Sequence, residues 1–252
     1  MAERRRRIVI AFGIAIVASV PVTAHASNTG PSTAPKPPAW VLHGKYAPVI
    51  DRANFVSKVD NRYFPLKAGT SFHYRGVKDR TAQTDDMVVT RRVKYVLGVR
   101  CTVVRDTVSE HGKPLERTFD WYAQDRQGNV WYMGEDSLEL KNGRFVRASD
   151  SWEAGVNHAK PGIIMRGNPR PGDVYRQEYY PSGGALDQAR VVGAFPTVRV
   201  PGGLFKRVLV TDEWSPVEPQ IERKYYATGI GEIKEQVTAG GHEQFQLIRV
   251  TR

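Results

Sequence analysis

From residue 61 onward the chain is a succession of short β-rich runs, each closed by a turn signal, and this punctuation constrains the fold more than any other feature. Met87, Val89, Val93 and Tyr95 alternate with Val88, Thr90, Arg92 and Lys94, the period of two that sends successive side chains to opposite faces of a sheet. Runs of similar character occupy 115–123, 129–133, 172–180, 206–214, 221–227, 232–237 and 244–250. Between them stand His111-Gly112-Lys113-Pro114, Arg126-Gln127-Gly128-Asn129, Pro201-Gly202-Gly203, Thr228-Gly229-Ile230-Gly231 and Ala239-Gly240-Gly241, all turn formers. Asn142-Gly143 separates Leu138-Glu139-Leu140 from Arg144-Phe145-Val146 and is the strongest hairpin signal. The expectation is an all-β, antiparallel fold. Ile50, Phe55, Val56 and Val59 alone have near-helical spacing, which predicts one short N-terminal helix over 51–59 packed on the sheet.

The chain reads as two copies of one unit, about 65–136 and 169–238. Val103-Val104-Arg105-Asp106 aligns with Leu209-Val210-Thr211-Asp212, and Glu116-Arg117-Thr118-Phe119 with Glu222-Arg223-Lys224-Tyr225. Tyr122-Ala123 matches Tyr226-Ala227, and Gly128-Asn129-Val130 matches Gly231-Glu232-Ile233. Each copy gives about five strands in a meander. Two such meanders predict a curved sheet or barrel of about ten to twelve strands, since open twisted sheets of that size curl or close. The stretch 135–168 is extra to the repeat and is expected to cap one end.

The first 26 residues have the form of a secretory signal peptide. Arg4 to Arg7 are a basic start, 8–20 is uncharged and apolar, and Ala24-His25-Ala26 is a small-x-small cleavage signal. As a helix the apolar stretch rises ~20 Å, short of a ~30 Å hydrocarbon core, so no membrane span is expected after cleavage. General secretion is the default route, with the twin-arginine route left open by the arginine run. Cys101 is the only cysteine. None lies near the cleavage point to carry a lipid, and the expected product is a released protein, extracellular or periplasmic. Residues 27–39 hold four prolines and read as a flexible linker, leaving 40–252 as a single all-β domain.

The formal net charge is +11. Cleavage takes four arginines and one glutamate and leaves +8, spread along the chain without a basic stripe or nucleic-acid module. Nucleic acid is therefore not expected as a partner, and the charge reads as a soluble, mildly cationic surface of the kind anionic envelope polymers attract. One cysteine excludes a disulfide framework, and within the strand-like run at 99–104 it reads as a small core residue. There is no Gly-x-Ser-x-Gly elbow, phosphate-binding glycine loop or His-Glu-x-x-His. His43, His73, His111, His158 and His242 are scattered, so no local metal pair exists. No cofactor, metal or catalytic set is nominated. Asp125 to Asn129 spaces oxygen ligands as a calcium loop would, but it lacks the twelve-residue pattern and reads as a hairpin turn with a solvated Asp125.

The unusual feature is aromatic. Phe119, Trp121 and Tyr122 lie on one run, Trp131 and Tyr132 on the next, and rings fall on both faces. Alternation puts Phe119 and Trp121 on one side and Asp120 and Tyr122 on the other. One face is core. The other is covered core, or it lines a groove in which Trp121 or Tyr122 and Trp131 or Tyr132 supply apolar contact while Asp120 or Glu135 orients a polar group. The same two carboxyl groups are the candidates for acid and base work on a glycosidic bond.

Asp60-Asn61-Arg62-Tyr63-Phe64-Pro65-Leu66, the Asp120-Trp121-Tyr122-Ala123-Gln124-Asp125 and Gly128-Asn129-Val130-Trp131-Tyr132 stretch, and Lys224-Tyr225-Tyr226-Ala227 with Gly229-Ile230-Gly231 resemble uncharacterised exported bacterial all-β proteins, over about 50–250. The Tyr-Ala-x-Gly-x-Gly turn is also similar to one in periplasmic half-barrel lipoprotein carriers. Neither resemblance carries catalytic residues. The expected function is a non-enzymatic binding protein holding a hydrophobic or glycan ligand or an envelope partner. The alternatives are a glycan hydrolase using paired carboxylates and an assembly module without a small-molecule site.

Overall fold

The computed structural model describes residues 35–193, 195–217 and 220–252. The stretch read as a signal peptide, 1–26, and most of the proline-rich stretch lie outside the described residues. Thirteen strands follow in chain order: β1 Ser71–Lys78, β2 Thr81–Val96, β3 Val99–Glu110, β4 Lys113–Asp125, β5 Val130–Lys141, β6 Lys160–Met165, β7 Val174–Arg176, β8 Glu178–Tyr179, β9 Gln188–Val191, β10 Leu209–Trp214, β11 Ile221–Ala227, β12 Gly231–Ala239 and β13 Glu243–Thr251. Side by side they run β7-β9-β10-β11-β12-β13-β1-β2-β3-β4-β5-β6-β8. Every pairing is antiparallel, and the last strand of the chain, β13, joins β1.

The two edges of this sheet are one piece of chain. β7 pairs with β9 and β8 pairs with β6, yet only Gln177 separates β7 from β8. Its N–H donates to Asp187 O at 2.8 Å. A bend at a single residue therefore brings the edges together, and the sheet is a nearly closed barrel. Closure removes the unpaired backbone groups that an open edge would present. Gly162 on β6 makes it sterically feasible. A Cβ there would sit 2.2 Å from the Gln177 carbonyl carbon, so no other residue fits without moving the backbone.

Three short pieces, Phe55–Val56, Arg144–Arg147 and Trp152–Glu153, complete a sheet of sixteen strands. That count exceeds the ten to twelve expected from sequence, while the all-β antiparallel class is as expected. Asn142 and Gly143 take φ of 52° and 75° between β5 and Arg144–Arg147, a primed hairpin turn as the dipeptide requires.

Two expectations are corrected. The segment 51–59 is not a helix: only Arg52–Asn54 form a single 3₁₀ turn, capped by the Asp51 side chain on Ala53 N. Phe55 and Val56 then pair with Asp125 and Gln124. β3 stops pairing with β4 at Thr102↔Tyr122, so the end of β4 has free backbone groups, and taking them up is worth more than one turn of helix. The stretch 160–165 is not a cap either. It is the wall strand β6, paired to β5 and β8.

β1 to β6 pair in chain order, and so do β7, β9, β10, β11, β12 and β13. Of the aligned residues, Glu116 and Glu222 are both buried, and Asp106 is buried too, whereas Asp212 faces outward and binds Arg223 at 2.7 Å. The outward rows carry His73, Arg75, Arg105 and Arg117. Among the described residues no helix is long and apolar enough to cross a membrane.

Candidate functional site

The candidate residues sit on β4 and β5, and a bulge decides which of them meet. Asp120 pairs with Glu135 and Tyr122 with Tyr132, so Met133 and Gly134 together oppose the single residue Trp121. In an unbroken strand Tyr132 and Glu135, three apart, would point to opposite faces. The extra residue puts both on the inner face. Gly134 holds the bulge at φ 135°, and a Cβ there would lie 2.5 Å from Trp152 O and 3.0 Å from the Trp121 ring.

On that inner face one phenol touches two carboxyl groups. Tyr132 Oη lies 2.7 Å from Asp120 Oδ1 and 2.9 Å from Glu135 Oε2. A phenol has one hydrogen to donate. The second contact needs a proton on a carboxyl group, which then donates to the phenol oxygen. Burial supplies the reason for that proton. It pushes Asp120 up to about 8, with the Asp106 carboxyl adding to the rise and the Tyr132 hydroxyl opposing it. Glu135 is held well above the usual carboxylate range, by burial first and then by Asp120 and Asp150. Both side chains are buried.

The aromatic residues divide between the two faces. Tyr122 and Tyr132 are inside, stacked with centroids 4.9 Å apart. Phe64 packs on Tyr122 edge-on at 5.2 Å and Trp152 on Tyr132 at 5.4 Å. Trp121 and Trp131 are outside and covered. Lys94 Nζ sits 3.9 Å above the Trp121 ring, while Trp131 packs against Phe55 and donates from Nε1 to Asp125 Oδ2 at 2.9 Å. The structure thus gathers Tyr122, Tyr132, Asp120 and Glu135 into one inward patch and places Trp121 and Trp131 elsewhere.

Asp125 is a correction. It is buried rather than solvated, because its carboxylate accepts from the backbone and side chain of Asn129, at 2.8 and 2.9 Å, as well as from Trp131. Three donors hold it, and the loop is a structural turn.

The inward patch belongs to a wider pattern. Among the described residues fourteen Asp and Glu side chains are buried, against Lys78, Lys224 and Arg176 as buried cations. Burial raises Asp85, Glu116 and Glu232 to about 8 and Glu222 to about 7. On the opposite wall Lys224, fully buried on β11, has Glu213 at 3.2 Å and Glu235 at 3.8 Å. Burial works to lower its ammonium, but Glu213, Glu232, Glu235 and Glu222 outweigh that and hold it well above the usual lysine range. Among the buried polar atoms without a hydrogen-bond partner, oxygens such as Glu178 Oε1, Glu116 Oε2 and Gln177 Oε1 outnumber donors such as Lys78 Nζ, Gln177 Nε2 and Trp214 Nε1. Sequence reasoning missed this second cluster. Its signal was the period-two pair Glu222 and Lys224, with Glu213 and Glu235 on the two flanking strands, and a charged row of that kind has the look of a solvent face.

The architecture is that of a nearly closed antiparallel barrel whose interior sets carboxyl and phenol groups among apolar side chains such as Met87, Val104 and Val108. No family model and no curated protein sequence matches this chain. Two solved structures are similar. One is a protein of Bacteroides fragilis assigned as exported, with a YmcC-like fold, at 15% identity and a TM-score of 0.40, covering 76% of this chain and 100% of that one. The other is a protein of Parabacteroides distasonis assigned as a lipoprotein, at 13% identity and a TM-score of 0.37, covering 76% of this chain and 99% of that one.

Proposed function

We propose that this chain is a non-enzymatic binding protein of the cell envelope or exterior whose ligand brings hydrogen-bond donors to the barrel interior. A glycan with free hydroxyl or amino groups fits that chemistry. The observation that carries the reading is the acceptor surplus, with two carboxyl groups on the single Tyr132 hydroxyl at its centre. A barrel serving only as a scaffold gains stability from apolar filling, while buried carboxyl groups cost it. An interior kept acidic against that cost suits recognition. A purely hydrophobic ligand fits this lining less well. Access requires the wall to part, and the closure through β7, Gln177 and β8 is the weakest place, having the shortest strands on the sheet path.

The test is calorimetric titration of the secreted chain with glucosamine oligomers and with neutral gluco-oligomers, repeated for Asp120→Asn and Glu135→Gln. Binding that weakens about tenfold in either variant, the loss expected for one well-made hydrogen bond, supports the reading. New reducing ends appearing during the titration would make the pair hydrolytic instead. No heat with any oligomer, while the variants fold normally, would leave the assembly module.

A further inference from the structure

The barrel carries an apolar projection at the turn between β2 and β3. Leu97 and Gly98 are its two central residues, with φ of +51° and +76°. That turn favours asparagine or glycine at both positions, and a leucine in the left-handed region is strained. The strained side chain is also half in solvent, at 49% exposure. Around it Tyr95 is 67% exposed, Val156 50% and Val93 39%. Leu97 packs on Gly155, where a Cβ would meet it at 2.5 Å, and this sets Val156 beside it. Neither conformational preference nor core packing accounts for a leucine and a tyrosine here.

The surround is cationic. Arg52 lies against Gly98, with Cδ 3.6 Å from where a Cβ would be. Arg100 pairs across from Tyr95 and donates to Ser57 O at 2.7 Å. Arg91 and Arg92 are exposed further along β2. The nearby acids are engaged: Glu153 binds Lys94 at 2.8 Å, and Asp51 caps Ala53 N.

We infer that this tip docks on an anionic phospholipid surface, with Tyr95, Leu97 and Val156 entering the headgroup region and the arginines meeting lipid phosphates. Aliphatic and aromatic side chains at the point with basic residues behind them are the arrangement that combines apolar insertion with attraction to anionic lipid. A second copy of the chain is a poorer occupant, because it would bring the same arginines face to face with no free acid between them. The inference is independent of the barrel interior.

Co-sedimentation of the secreted chain with vesicles tests it, using phosphatidylcholine alone and phosphatidylcholine with phosphatidylglycerol. Binding is expected only with phosphatidylglycerol present and is expected to fall steeply with added salt. Tyr95→Ser and Leu97→Asn should each reduce it by roughly fivefold or more. Leu97→Asn controls for folding, because asparagine suits the left-handed turn and should leave the melting temperature equal or higher. Absence of sedimentation with phosphatidylglycerol vesicles at low salt overturns the proposal, as does undiminished binding by both variants. A dimer in solution that Leu97→Asn dissociates would also overturn it and reassign the patch to a second copy.

Discussion

Replacing Glu116 by glutamine converts the buried-acid interior into a measurable quantity. Glu116 is 1% exposed. Its Oε1 accepts from Thr118 Oγ1 at 3.1 Å, and Oε2 has no donor. Burial raises it from 4.5 to about 8, with Thr118 opposing the rise and Asp106 adding to it. A folded value above the unfolded one gives a contribution that is fully present below the unfolded value and lost as pH rises through the folded value. The window is therefore pH 4.5 to about 8. At pH 7 the unfolded chain has released this proton and the folded chain must take it up, at a cost of roughly 3 kcal/mol, at about 1.4 kcal/mol per pH unit. Glutamine is neutral in both states. Any fixed cost of its amide is independent of pH, so the difference between two pH values isolates the proton. Urea unfolding of wild type and Glu116→Gln at pH 4 and pH 7 should show the variant gaining about 3 kcal/mol on wild type between the two. An equal effect at both pH values would refute the reasoning and mean that Glu116 is ionised and hydrated inside the barrel.

Wild type should itself lose stability from pH 5 to pH 8, with a slope of more than one proton, because Asp85, Asp120 and Glu232 share the same direction; a urea midpoint that does not move would count against it. Lys224→Met leaves Glu213 and Glu235 without their buried cation and should cost about 3–5 kcal/mol in urea unfolding at pH 7; a variant as stable as wild type would show that the cation is dispensable. Gly162→Ala places a methyl group against the Gln177 carbonyl and should lower the melting temperature by about 5 °C or more, at 2–4 °C per kcal/mol for a chain of this size; an unchanged melt would show that the closure is loose. Cys101 is buried and its thiol is pushed up to about 12 by burial, so a thiol reagent should label it only after denaturant is added.

The architecture was legible because turns and period-two runs are local signals. Asn142-Gly143 dictates its own backbone, and the long strands follow from their alternation. The helix at 51–59 failed because what decides that segment is not local. Phe55 and Val56 go where β4 runs past the end of β3, and no spacing within that segment reports a vacancy as far along the chain as Gln124 and Asp125. The candidate site was half legible. Asp120 and Tyr122 share a face by simple alternation. That Tyr132 and Glu135 join them depends on the bulge at Met133 and Gly134, and a lone glycine in a strand signals a bulge only weakly.

The acid interior was illegible for a deeper reason. Alternation tells which residues share a face and never which face is inside; that assignment borrows the rule that charges face water. In β11 the rule inverts. Glu222, Lys224 and Tyr226 point into the barrel, while Arg223 sits outside on Asp212. Both rows of that strand are charged, so hydropathy carries no sign. The matched residues Glu116 and Glu222 point inward on their respective strands, and the acids around them follow the barrel wall from Asp85 on β2 to Glu243 on β13. The exterior thereby keeps the basic excess, while the carboxyl groups that would otherwise neutralise it at the surface are enclosed. Net charge alone describes this chain poorly. One wall of alternating side chains separates a basic exterior from an interior that holds the buried carboxyl groups, and the two proposed contacts rest on that separation.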